Sequence, residues 1–182
     1  KRVAKGGSGL MITGLTYVSK DGQAYFAENG IHDDKLIPAW KEFTDEIHEA
    51  NGKIIMQITH GGRQVDPRLL SGKKAKAPSN IPNFMYFYNA QALTEDEINK
   101  IIEDFGAAAE RVKAAGFDGV QIHSSGGYLL AVFYLRLQTG EKTNGAVMKK
   151  EDSVYLKKYT KMFVGQLAMI IRSLQKSILA IQ

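Results

Sequence analysis

Polar and apolar positions along the chain repeat one rhythm. An amphipathic helical stretch is followed by a glycine and then by a short apolar run ending in polar or glycine residues, as in βα units. In the first helical stretch Asp33 and Asp34 supply a negative N-terminus, and Leu36, Ile37, Trp40, Phe43, Ile47 and Ala50 recur at helical spacing. Gly52 sits where a C-terminal cap belongs. Lys53 to Thr59 then reads KIIMQIT, a nearly continuous apolar run of strand length with Gln57 as its polar exception, which suits a parallel strand covered on both faces. A second helix opens on the capping box Thr94-Glu95-Asp96-Glu97, keeps Ile98, Ile101, Ile102, Phe105, Ala109 and Val112 on one face, and closes at Gly116 before the strand FDGVQIH. Leu10 to Ile12 already reads as a strand, so the chain is expected to begin inside a domain.

Two segments depart from the rhythm. Gln64 to Leu93 holds Pro67, Pro78 and Pro82, Lys73, Lys74 and Lys76, and the aromatic cluster FMYFY at Phe84 to Tyr88. A connector of that length is expected to be a functional excursion over an active site or an added hairpin. Its lysines are expected to form a solvated face, and its aromatics to be either a lid touching ligand or the lid's own small core. From Ser153 on, Tyr155, Tyr159, Met162, Phe163, Ile170, Leu174 and Ile178 predict one long amphipathic helix, with Leu179 to Ile181 starting another strand. No linker argues for a second domain.

Composition narrows the function classes. With 182 residues, 44% of them hydrophobic and 24% charged, the chain can bury a sizeable single core. The absence of cysteine excludes a disulfide framework, a cysteine zinc site, a thiolate iron–sulfur cluster and a cysteine nucleophile in this chain, and suggests a cytoplasmic location. The net charge of +5 is uneven: residues 1–141 carry 16 basic and 17 acidic side chains, whereas residues 142–182 carry 8 and 2. Nucleic-acid binding would rest on that tail's charge alone and is not expected. No apolar run is long enough to predict a membrane span; the nearest, Phe163 to Gln182, contains Arg172 and Lys176.

In α/β folds ligands lie beyond the carboxyl ends of the strands, which directs attention to Thr13-Gly14, Gln57 to Arg63, and His123 to Tyr128. Gln57, His60, His123 and Tyr128 each end or follow an apolar run and are expected on one rim. Each also has a plain structural alternative: an amide satisfied by backbone, a core or rim histidine, a buried tyrosine. No dinucleotide or phosphate-binding glycine loop is present, since GGSG at Gly6 to Gly9 precedes a strand instead of following one. Ser124 and Ser125 lack a nucleophile elbow, and His60 with His123 lacks a third zinc ligand.

Four segments, GGSGLMITG at Gly6 to Gly14, QITHGGRQ at Gln57 to Gln64, LTEDEI at Leu93 to Ile98 and AAGFDGVQIHSSGGYLL at Ala114 to Leu130, resemble the old yellow enzyme family of FMN-dependent oxidoreductases. The resemblance spans Lys1 to Phe133; residues 134–182 form a divergent basic part of the same single domain. It implies a (β/α)8 TIM barrel binding FMN at its carboxyl-end mouth, here incomplete. Gly9 to Thr13 would be the second strand, Ile54 to Ile58 the third and Gly119 to Ile122 the fourth, with at most the start of a fifth.

The implied activity is reduction of an activated C=C bond in a small α,β-unsaturated carbonyl substrate, with NAD(P)H as electron donor. Gln57 would bond the polar edge of the flavin, Thr13 and Gly14 would lie beside it, His123 would touch it and hold the substrate carbonyl, and Tyr128 would donate the proton. Gly14 stands where the family usually has an acidic residue, and Leu15 at a usually small position. Gly126 stands where the family has a second carbonyl donor, a loss worth about 3–4 kcal/mol of transition-state stabilisation. After Phe133 the family's proline and Asn-x-Arg-x-Asp segment give way to YLRLQTGEKTNGAVMKK, in which only Gly145 and polar residues echo it. The family's phosphate site lies near the seventh and eighth strands, so the chain alone is expected to hold FMN poorly and to self-associate through strand edges. The alternative reading is a catalytically silent remnant or association module.

Overall fold

The computed structural model describes residues 1–133 apart from 81, 84 and 85. The helix expected from Ser153, the strand at Leu179 to Ile181 and the basic part of the chain lie outside the described residues, as do Phe84 and Met85. A short helix, α1 (Arg2–Lys5), leads to β1 (Met11–Tyr17), the two-residue β2 (Asn29–Gly30), α2 (Ile37–His48) and β3 (Ile54–Thr59). The connector holds β4 (Lys76–Ala77), β5 (Pro82–Asn83), β6 (Tyr88–Asn89) and β7 (Gln91–Ala92), before α3 (Glu95–Ala114) and β8 (Gly119–Ile122).

The main sheet runs β2-β1-β3-β8, every pair parallel. Ile54, Met56 and Ile58 alternate onto its outer face, where they join Ile98, Ile101, Phe105 and Val112 of α3 and Ile47 of α2 in one core, with Val120 and Ile122 packed against it. Residues between them in sequence face the other way. Leu15, Gln57 and Gln121 form one row across that inner face, and Ile12, Ile55 and Gly119 the row toward the amino ends.

Helix α3 starts as its sequence requires: the Thr94 hydroxyl accepts from the Glu97 N–H, and the Glu97 carboxylate accepts from the Thr94 N–H. At the other end Gly116 takes φ +79° against the Thr44 side chain. Helix α2 begins later than its apolar spacing suggests, because Asp33 caps a 3-10 turn over Asp34–Leu36 by accepting from the Lys35 N–H. Gly52 is not its cap. The left-handed residue is Asn51 (φ 56°), and Gly52 is needed for closeness: a Cβ there would stand 2.9 Å from both Ala4 Cβ and Met11 Cε.

Strand β1 also departs from expectation. It does not close at Thr13-Gly14 but runs through them to Tyr17, with a register shift against β3 between Ile12 and Leu15. The long connector is an added hairpin. β5 pairs antiparallel with β6, and β4 pairs with β7. It has its own small core of Val65, Leu70 and Ala75, against which Leu69 and Tyr88 pack, while Phe87 is 91% exposed. Lys73 and Lys74 are exposed as expected, but Lys76 pairs with Glu97 at 2.5 Å.

At the amino ends of the strands Asp118 gathers three donors: His48 Nε2 and Lys53 Nζ at 2.9 Å and the Ile54 N–H at 2.8 Å. These hydrogen bonds outweigh burial and hold its carboxyl below the usual carboxylate range. Among the described residues, no helix is long and apolar enough to cross a membrane, and no three His, Cys, Asp or Glu stand close enough to hold a metal ion.

Candidate functional site

The carboxyl half of the inner face carries the polar residues. Where β1 slips against β3, the ladder leaves the Gln57 N–H without its usual carbonyl, and the Thr13 hydroxyl accepts it at 3.0 Å while donating to the Gly14 carbonyl at 2.8 Å. Thr13 therefore plugs the irregularity. Gly14 is exposed, and a Cβ there would meet nothing within 4 Å, so packing does not require a glycine.

The Gln57 side chain lies beside Gln121, its register partner on β8, and donates from Nε2 to Gln121 Oε1 at 2.5 Å. The pair leaves Gln57 Oε1 as an acceptor and Gln121 Nε2 as a donor, an alternating set that suits a planar ring with imide and carbonyl groups at its edge. Leu15 occupies the adjoining place on β1.

His123 continues the ladder of β8, its N–H donating to the Ile58 carbonyl at 3.0 Å. Alternation puts it on the same face as Gln121. Its ring meets that of Tyr128 edge to face, centroids 4.9 Å apart at 89°. Nε2 of His123 is buried without a hydrogen-bond partner among the described residues. Burial pushes the imidazole down from its ordinary value, with a backbone hydrogen bond at Ser125 working against it. Burial, and then the nearby Glu28 carboxylate, pushes the Tyr128 phenol up. At neutral pH the pair is thus an uncharged imidazole and a protonated phenol.

Between them the chain turns through Gly126 and Gly127, both at positive φ. A Cβ on Gly126 would stand 3.4 Å from Tyr128 Cδ2 and 3.9 Å from His123 Nε2, so a side chain there would enter the space beside both rings. That turn rests on the segment after β3. The Leu129 N–H donates to the His60 carbonyl at 3.1 Å, and Gln64 Nε2 donates to the Gly126 carbonyl at 3.3 Å.

His60 does not join this group. It sits three residues beyond Gln57, on the opposite face, and is only 2% exposed. Its Nδ1 accepts from the Gly62 N–H at 3.0 Å, and its ring lies so close under Gly22 that a Cβ there would approach to 2.6 Å. Burial pushes its titration down, leaving a neutral core histidine. The structure thus puts Gln57 and His123 on one face with Tyr128 against His123, whereas the His60 ring, also at the carboxyl end of its strand, turns into the core.

Two further polar groups, Gln121 and Glu28, stand near the mouth. Gln121 was readable, since a polar residue two places before His123 on a strand must share its face. Glu28 gave no signal: it lies in a loop, is 6% exposed, accepts from the Ala24 N–H at 2.5 Å, and burial pushes its carboxyl up to about 7.

Residues 1–146 match the model of the NADH:flavin oxidoreductase / NADH oxidase family. The probable NADH-dependent flavin oxidoreductase YqiG of Bacillus subtilis (strain 168) is 38% identical over 130 residues, covering 69% of this chain and 34% of that protein. Morphinone reductase, solved in complex with tetrahydroNAD, superposes with a TM-score of 0.73 at 25% identity, over 94% of this chain and 51% of its own. The old yellow enzyme homologue from Zymomonas mobilis gives 0.69 at 30% identity, over 92% and 50%. The chain spans about a third of the first relative and about half of the two solved structures.

Proposed function

Since the chain belongs to the NADH:flavin oxidoreductase / NADH oxidase family and folds as part of that family's TIM barrel, we propose that it is the FMN-facing part of an ene-reductase. Its substrates would be small α,β-unsaturated carbonyl compounds, and its electron donor NAD(P)H. The observation that carries this reading is the His123–Tyr128 edge-to-face pair with an unpartnered, buried His123 Nε2, on the same face as the Gln57–Gln121 amides.

When bound, FMN supplies the two-electron hydride chemistry. The remaining roles belong to the chain. Gln57 Oε1 and Gln121 Nε2 fit the polar edge of the flavin ring, with Thr13 and Gly14 beside it on β1. His123, with a proton on Nε2, donates a hydrogen bond to the substrate carbonyl oxygen. Tyr128 keeps its phenolic proton at neutral pH and delivers it from Oη to the substrate α-carbon. Gly126 adds no second donor, so polarisation of the carbonyl rests on His123.

The test is titration of the purified full chain with FMN by fluorescence, followed by NADPH-dependent reduction of 2-cyclohexenone. His123→Ala should abolish enone reduction and leave FMN affinity within about threefold, since the amides keep the ring contact. Equal rates for parent and variant would remove His123 from the site. A second reading, an association module without catalysis, is favoured by Gly126 and by the exposure of Leu10 (52%) and Ile12 (48%) beside the sheet's inner face. FMN bound in a stoichiometric, monomeric preparation would dismiss it.

A further inference from the structure

The turn from Ser124 to Gly127 has to hold His123 and Tyr128 in register, and its own bonds act through Ser125 alone: the Tyr128 N–H donates to the Ser125 carbonyl at 3.3 Å, and a Ser125 backbone hydrogen bond meets the His123 ring, among the described residues. Its first end is pinned to β3 itself, through His123 N–H to the Ile58 carbonyl, and its second to the residue just after β3, through Leu129 N–H to the His60 carbonyl. The approach at the second pin is close, because a Cβ on Gly62 would stand 2.9 Å from Leu129 Cα. The middle is a pair of glycines at φ +65° and +76°, the least restrained backbone available.

The Gln64 side chain reaches that middle, with the Arg63 guanidinium also near it. Gln64, which ends the 3-10 turn Gly62–Gln64, donates from Nε2 to the Gly126 carbonyl at 3.3 Å. A Cβ on Gly127 would stand 3.0 Å from the same Nε2. From the other side Gln64 Oε1 accepts from Asn83 Nδ2 at 3.4 Å. Asn83 is buried on β5, donates to the Arg63 carbonyl and accepts from the Tyr86 N–H. Tyr88 on β6 anchors the same stretch, its Oη within 2.7 Å of the Arg63 carbonyl and 2.9 Å of the Val65 carbonyl.

We infer that Gln64 is a positioning residue that ties the added hairpin to the glycine turn and so sets the geometry of the His123–Tyr128 pair. The inference rests on the reading of that pair as the reactive one. The amide suits the bridge, because it offers a donor toward Gly126 and an acceptor toward Asn83 at once. The hairpin is thereby more than a covering: its placement reaches the two rings through one side chain.

The experiment compares the full chain with its Gln64→Glu and Gln64→Leu variants by aromatic NMR, the His123 resonances being identified by their loss in His123→Gln. Gln64→Glu keeps size and acceptor but loses the donor and sets a carboxylate against the Gly126 carbonyl. The ring-current displacement that the Tyr128 ring imposes on the His123 protons should fall by about half or more in both variants. The His123 titration should rise toward the ordinary imidazole range as its ring gains solvent, while the melting temperature of Gln64→Glu stays within about 3 °C of the parent. A displacement retained in Gln64→Glu overturns the inference. So does its loss only together with unfolding of the whole chain in both variants, which would make Gln64 a general stability residue. FMN plays no part in these spectra. Failure to bind FMN therefore counts against the proposed reaction alone, and a retained displacement against Gln64 alone.

Discussion

At Gly126 a donor and a backbone conformation compete. The space beside His123 Nε2 would accept a side chain, but φ +65° disfavours most residues other than glycine, and asparagine tolerates it best. Gly126→Asn should therefore raise enone reduction, by up to about 10²-fold if its amide reaches the carbonyl, and more than Gly126→His. Equal rates for parent and both variants, at matched flavin occupancy, would show that Gly126 is not the deficient position. Tyr128→Phe keeps the edge-to-face contact but removes the phenolic proton, and should cost about 10²–10⁴ in turnover without weakening FMN binding. Glu28 makes a prediction about pH. Burial lifts its carboxyl to about 7, above the value of about 4.3 expected in the unfolded chain, so folding favours the protonated form. That contribution is full below about pH 4 and is lost as pH rises through 7. Glu28→Gln keeps a carbonyl for the Ala24 N–H and has no charge to bury, so its stability advantage in urea should grow by about 3 kcal/mol between pH 4 and pH 8. A difference independent of pH would dismiss the buried charge as the cause. Among the side chains singled out, Gln57 and His123 stand in or at the end of an apolar run and Tyr128 follows one, which marks their places; their roles come from the family resemblance. His60 closes one too, but an odd spacing from Gln57 turns it into the core, a parity that sequence alone could have supplied.

At the scale of elements, continuous apolar runs were readable and irregular pairing was not. KIIMQIT and FDGVQIH gave β3 and β8 within a residue or two, and the capping box fixed the start of α3. β1 was shortened in the reading because Thr13 and Gly14 resemble a strand end. Their place in mid-strand depends on a hydrogen bond from Gln57, 44 residues away. The connector's hairpin depends in the same way on partners that local composition does not reveal, such as the Tyr88 hydroxyl against the Arg63 and Val65 carbonyls. The amino ends of β3 and β8 are held by Asp118, and Asp118→Asn should cost about 1–3 kcal/mol, because the amide replaces one acceptor oxygen with a donor facing Lys53 or the Ile54 N–H. Since the carboxyl is held below its ordinary range, its contribution is present above about pH 4 and lost below it. The variant's deficit in urea should accordingly shrink on acidification, and a constant deficit would point to packing instead.

For the molecule as a whole, the match to a family of complete barrels over half their length makes cofactor retention the decisive property. The residues suited to the flavin ring lie on the three adjacent strands β1, β3 and β8, whereas the family's phosphate site belongs to later strands. A polypeptide of these 182 residues by itself is predicted to lose FMN on gel filtration and to elute larger than a monomer, with Leu10 and Ile12 as part of the apolar surface that drives association. A monomer that keeps one FMN per chain through the column would contradict both expectations. The order of the sheet carries a further consequence. β1, β3 and β8 pair in the order in which they occur along the chain, each with the strand that comes next in the barrel. Such a sheet can grow one unit at a time as the chain leaves the ribosome, β3 docking on β1 once α2 has emerged and β8 following α3. Until β8 arrives, the donors and acceptors along the free edge of β3 are open, and Ile54, Met56 and Ile58 lack the cover of α3.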